Sequence, residues 1–140
     1  MSNQVQIEII TTQMVDGQKD ESRANYRGSC DIADEMATLV YAMEQAGRRV
    51  ETTLTLKEDG CFMENRGAEE RTMDFLPGQR TRTALQLPMG RLDLEVHTHT
   101  YVLQTSHENT GHMQVELVYD LYSGADLLAT NRLQIRVIPE

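Results

Sequence analysis

Apolar and polar residues alternate along most of this chain, and a period of two is the signature of β-strands with one wet and one buried face. Val5, Ile7 and Ile9 alternate with Gln4, Gln6 and Glu8. Val50, Thr52, Leu54 and Leu56 alternate with Glu51, Thr53, Thr55 and Lys57. The same pattern runs through Leu92–Val96, Met113–Leu121 and Leu133–Val137. Between the runs stand turn-forming pairs: Asp16-Gly17, Asp59-Gly60, Pro77-Gly78 and Met89-Gly90, then Glu108-Asn109-Thr110-Gly111 and Ser123-Gly124-Ala125-Asp126. Their spacing predicts meandering hairpins rather than strand–helix–strand units.

One segment reads two ways. Between Asp31 and Ala46, Met36, Leu39, Val40 and Met43 fit a helix, with Asp31 or Asp34 as a cap, while Leu39, Tyr41 and Met43 fit a strand equally well. Its strand neighbours tip the reading to a strand over about Met36–Met43. The expected fold is all-β: a single closed antiparallel barrel of eight to ten strands over residues 1–140, with a two-sheet sandwich as the other architecture. Closing the sheet removes the edges that such a long sheet would otherwise expose. A barrel of that size is filled by side chains or holds one small ligand.

Length and charge bound the function. A chain of 140 residues buries roughly 70% of its unfolded surface, enough for one core without disulfides or metal. Thirteen basic against 22 acidic residues give a net charge of −9, which argues against nucleic acid and anionic membrane as partners. No apolar run approaches a membrane helix, and residues 1–8 carry no basic or apolar leader pattern. The expected compartment is the cytoplasm, with Cys30 and Cys61 as free thiols.

From Arg66 onward the chain resembles a family of bacterial proteins of unknown function with a calycin-like (lipocalin-like) β-barrel, the DUF1934 or YwiB-like family. The residues that carry the resemblance are Arg66-Gly67, Met73-Asp-Phe75-Leu-Pro-Gly78, and Leu87-Pro88-Met89-Gly90 with the strand that follows to Thr98. Val115–Leu121, Asn131–Val137 and the N-terminal Ile7–Gln13 with Asp16-Gly17 also fit. The resemblance implies the fold and carries no activity. The Gly-x-Trp of lipocalins is missing, since the chain has no Trp.

No catalytic constellation is present: there is no nucleophile elbow, no phosphate-binding Gly-rich loop and no His-Glu-x-x-His. No cofactor or metal is expected. His97 and His99 share one strand face, read as solvent-facing with Arg91, Asp93, Glu95 and Tyr101, and His107 and His112 flank the next turn. The informative positions are polar residues on faces that should be buried, because a buried polar group must find a partner. Thr98 and Thr100 continue the Leu92–Leu94–Val96 face towards Val102, Tyr119 lies among Val115, Leu117 and Leu121, and Asn131 precedes Leu133. Arg71 shares a face with Met73 and Phe75, and an inward arginine needs a carboxylate from the protein or from a ligand. Arg71, Thr98, Tyr119 and Asn131 are therefore the candidate contacts for a small apolar or amphiphilic ligand. The alternative is a filled barrel acting as a structural or interaction module, with Tyr101, Val118 and Tyr122 on its outer faces. The basic strip Arg80, Arg82 and Arg91 fits the acidic face of a second copy, which makes a homodimer an expectation.

Overall fold

A computed structural model describes residues 2–87, 89–105 and 111–140 of the chain. Ten strands account for almost all of it, and no helix occurs among the described residues: β1 (Ser2–Val15), β2 (Gln18–Ala33), β3 (Met36–Gln45), β4 (Arg48–Lys57), β5 (Gly60–Gly67), β6 (Arg71–Phe75), β7 (Arg80–Leu87), β8 (Gly90–Thr105), β9 (Met113–Ser123) and β10 (Asp126–Pro139). The segment that could have been a helix is strand β3. Strand β2 has no clear alternating signal because most of it is exposed on both faces.

The strands form one antiparallel sheet in the order β6-β5-β4-β3-β2-β1-β10-β9-β8-β7. Every neighbour in the sheet is also a neighbour in sequence, except that β1 pairs with β10, Val5 opposite Pro139 through Met14 opposite Thr130. Tight turns make this possible. Asp16 and Gly17 both take positive φ, 50° and 77°, as do Ala46 and Gly47 and the pair Asp34-Glu35, which lacks a glycine. His107 and the 108–110 part of the turn signal before Gly111 lie outside the described residues.

The sheet wraps until its edge strands β6 and β7 face each other. No backbone ladder joins them among the described residues. Two threonine hydroxyls make the seam instead: Thr81 Oγ1 donates to the Asp74 carbonyl and Thr83 Oγ1 to the Thr72 carbonyl, both at 2.6 Å. The turn between them is tied to β8 by the Gly78 amide on the Thr98 carbonyl at 2.9 Å. The result is a nearly closed barrel.

Bulges decide which way two strands face. On β8, Thr98 pairs with Tyr119 but Thr100 with Val118, so His99 is an extra residue and the alternation reverses beyond it. The expectation that Thr100 and Val102 continue the inner face is corrected: Val102 is exposed and Tyr101 is buried. Tyr101 is thus no outer-surface residue. Its hydroxyl donates to the Lys57 carbonyl at 2.6 Å, and burial raises its phenol pKa strongly. A second shift between Leu127 and Ala129 sets the facing of β10, which turns Asn131 inward as expected.

The core is amphipathic along the barrel axis. At one end the interior is apolar, with Val5, Cys30, Ala37, Leu39, Leu56, Cys61, Phe75, Met113 and Val137 all buried. Both cysteines are free. Burial pushes the Cys61 thiol up to about 12, so it behaves as a small hydrophobe there. Gly28 lets this end close: a Cβ on it would lie 2.3 Å from the Val40 carbonyl oxygen and 3.1 Å from Ile7 and Tyr41 atoms. At the other end, where the 16–17, 46–47, 68–70 and 124–125 turns sit, the inward residues become polar.

Candidate functional site

Three of the four candidate contacts form one cross-strand row. Thr98 on β8 lies opposite Tyr119 on β9, and Tyr119 opposite Asn131 on β10. The row continues onto β1, where Gln13 lies opposite Asn131 and its Nε2 donates to Asn131 Oδ1 at 3.0 Å. Thr98 and Asn131 are buried. The Thr98 hydroxyl, enclosed in the wall, has no hydrogen-bond partner. Tyr119 points across the barrel, its ring 4.8 Å from that of Phe75. Burial raises its phenol, and the positive charge of the Arg71 guanidinium pulls it partly back.

Facing this row is a second polar group on β4 to β6. Thr52 Oγ1 donates to Asn65 Oδ1 at 2.8 Å, and Asn65 Nδ2 donates to Glu69 Oε2 at 3.0 Å. Beside it Tyr41 stacks on Tyr26 with ring centroids 4.9 Å apart, and burial pushes the Tyr41 phenol up to about 12. Pairs and networks of this kind satisfy buried polar groups locally.

Arg71 is different. It sits at the first position of β6, half-buried, on the inner face that Met73 and Phe75 continue. Its Nε is buried with no hydrogen-bond partner, and among the described residues no carboxylate lies within ion-pair distance of it. Leaving a buried charged donor unpaired costs on the order of 1–3 kcal/mol or more.

Arg71 lines a recess of about 1200 Å³. Inward-facing Met43, Val50, Asn65 and Leu85 share this recess with outward-facing Arg66, Thr72, Ala84 and Gln86. Adjacent residues of one strand point to opposite faces, so the recess passes through the wall. It does so where β6 has barely begun and β7 is ending, past the Thr83 link, where among the described residues no hydrogen bond joins the two edges. Gly67 fixes this rim: its φ is 105°, and a Cβ would lie 2.5 Å from the Arg49 carbonyl oxygen. Of the four candidates only Arg71 lines the recess. Tyr119, Thr98 and Asn131 belong to the packed layer beside it. Met43, Val50, Asn65 and Leu85 escaped the sequence reading, because alternation marks an inward residue but not a break in the wall. Two smaller hollows of about 300 and 400 Å³ lie over β8, β9 and β10, away from this end.

The outer face opposite the row carries the histidines. His99 Nε2 lies 2.6 Å from Asp120 Oδ2, and Thr130 Oγ1 donates to Asp120 Oδ1 at 2.6 Å. Burial alone would raise the Asp120 carboxyl, but these bonds and the two nearby imidazoles outweigh it and hold it below its ordinary value. His97 stacks on Tyr122 at 4.3 Å. Among the described residues no group of three or more His, Cys, Asp or Glu is placed to hold a metal ion. No helix is long and apolar enough to cross a membrane.

The sequence model of the family described as "Domain of unknown function (DUF1934)" matches residues 7–135. Among solved structures the chain is similar to the ywiB protein from Bacillus subtilis, with a TM-score of 0.86 over 99% of this chain and 93% of that one. At 16% identity that likeness is one of fold. No curated protein matches the chain.

Proposed function

The chain belongs to the DUF1934 family, and from that premise we propose that it is a ligand-binding barrel that takes a small amphiphile at its polar end. One observation carries this reading: a recess of about 1200 Å³ reaches a half-buried arginine, Arg71, whose buried Nε has no hydrogen-bond partner among the described residues. Binding pockets typically combine apolar lining with a few convergent polar groups. Here Met43, Val50 and Leu85 supply the first, and Arg71 with Asn65 and Tyr119 the second. Thr98 and Asn131 hold the layer against which Tyr119 packs. Native mass spectrometry of gently purified protein is expected to find a small bound molecule, and Leu85→Trp, which crowds the apolar lining of the recess, to retain less of it. Protein that is empty as purified and binds no amphiphile at micromolar concentration would end this reading.

A second reading, an interaction module, draws on the rim. Among the described residues nine large hydrophobics are exposed, and six of them, Met14, Val15, Met43, Met89, Leu127 and Leu128, lie at or near the turns of the polar end, with Met89 91% exposed. Exposed apolar patches of this kind mark contact surfaces. Light scattering would separate the readings: a Met89→Ser and Leu127→Ser double variant changes oligomeric state only if the rim is an interface.

A further inference from the structure

We infer that the ligand of this recess is a short-chain monocarboxylate, held by Arg71 at its head with its tail lying over Met43, Val50 and Leu85 at the polar mouth of the barrel. The inference rests on the binding reading above and names the ligand class for that same site.

Charge selects the head. Four arginines and three glutamates line the recess, and Asp93 beside it takes up Arg91, so the charges cancel overall and the question is which cation is left exposed to a ligand. Arg66 Nε is held by Glu64 at 2.7 Å, Arg91 Nε by Asp93 at 2.9 Å, and Arg48 Nη2 donates to the Ala68 carbonyl at 3.3 Å. Arg48 and Arg71 have no carboxylate partner among the described residues, and of the two only Arg71 has a buried Nε without a hydrogen-bond partner. Glu64 is taken by Arg66, which leaves Glu69 and Glu70 as the other acids of the lining. Beside these two carboxylates a head with a single negative charge meets less repulsion than a doubly charged phosphate. A guanidinium also matches a carboxylate in plane, two donors to two oxygens.

Packing selects the tail. Directly inward from Arg71, Met73 and Phe75 are buried and Phe75 packs on Tyr119. Below them Leu39, Leu56 and Val137 fill the lumen without solvent access. A chain anchored at Arg71 therefore cannot run down the axis. Its room lies towards the polar mouth, over Met43, Val50 and Leu85, and that patch is small. A long acyl chain would leave most of its length in water.

Calorimetric titration of the full chain with octanoate, octyl phosphate, octanol and palmitate tests this. Octanoate is expected to bind at least tenfold more tightly than octyl phosphate and octanol, and palmitate no more tightly than octanoate. Arg71→Met should weaken octanoate at least tenfold and leave octanol unchanged, with Arg71→Lys between them and circular dichroism confirming that both fold. Equal affinity for octanol and octanoate, or tighter binding of octyl phosphate or palmitate, overturns the ligand class while leaving a binding barrel. Failure of all four to bind removes the binding reading as well.

Discussion

The two ends of this barrel are built from the same strands and are physically opposite. At the apolar end, side chains from eight strands interlock, and even a glycine, Gly28, is needed to let β2 and β3 come close enough. At the polar end the same strands carry Thr52, Asn65, Thr98, Tyr119 and Asn131 inward, and the wall is incomplete between β6 and β7. The comparison teaches where stability and function can be separated. The packed end holds the fold, so the other end is free to keep a charged group without a partner and a hole beside it. Proteins commonly tolerate such local costs at sites that bind.

The largest effect should come from cutting into the packed end. Leu56→Ala removes a fully buried side chain and should cost about 2–5 kcal/mol, against under about 1 kcal/mol for Leu85→Ala at the recess. Urea unfolding midpoints measure both, and equal losses would erase the distinction between the ends. Gly28→Ala should come next, at about 1–3 kcal/mol, because the added methyl meets the Val40 carbonyl and must push the strands apart. An unchanged midpoint would mean that β2 and β3 are not held as tightly as described.

The Asp120 site sharpens the contrast with a pH signature. Its carboxyl is held below the ordinary value of 3.8, so its contribution to stability is present above that value and is lost as pH falls through the lower, folded-state value. Asp120→Asn should therefore cost about 1–2 kcal/mol at pH 7 and almost nothing near pH 2. A pH-independent loss would mean that the bonds from His99 and Thr130, rather than the charge, carry the effect. The smallest change should be Arg71→Met. Removing an unpaired buried donor should leave stability unchanged or raise it by up to about 1 kcal/mol, even as octanoate affinity falls at least tenfold. A marked destabilisation would show that Arg71 belongs to the packed structure and not to a site.

Much of this architecture was legible before the coordinates. Alternation placed Leu54, Val96, Leu117 and Ile135 inside, and all four are buried. It also placed Arg71, Thr98, Tyr119 and Asn131 on inner faces. What misled was the reversal at His99: one inserted residue moved Tyr101 into the core and Val102 out of it, and no residue type in that stretch announces a bulge. Strand β2 was silent because a strand with little buried surface has no reason to alternate.

The sequence by itself determined the class of structure, since a two-residue period with turn pairs between the runs leaves no other way to bury the apolar half of each strand. It also determined that an arginine would face inward among Met73 and Phe75. Only the tertiary structure decided that β6 and β7 meet through two hydroxyls rather than a ladder, and that the wall gapes just past them beside Arg71. Those outcomes depend on how a ten-stranded sheet closes on itself, a property of the whole sheet's twist and stagger that no local pattern contains.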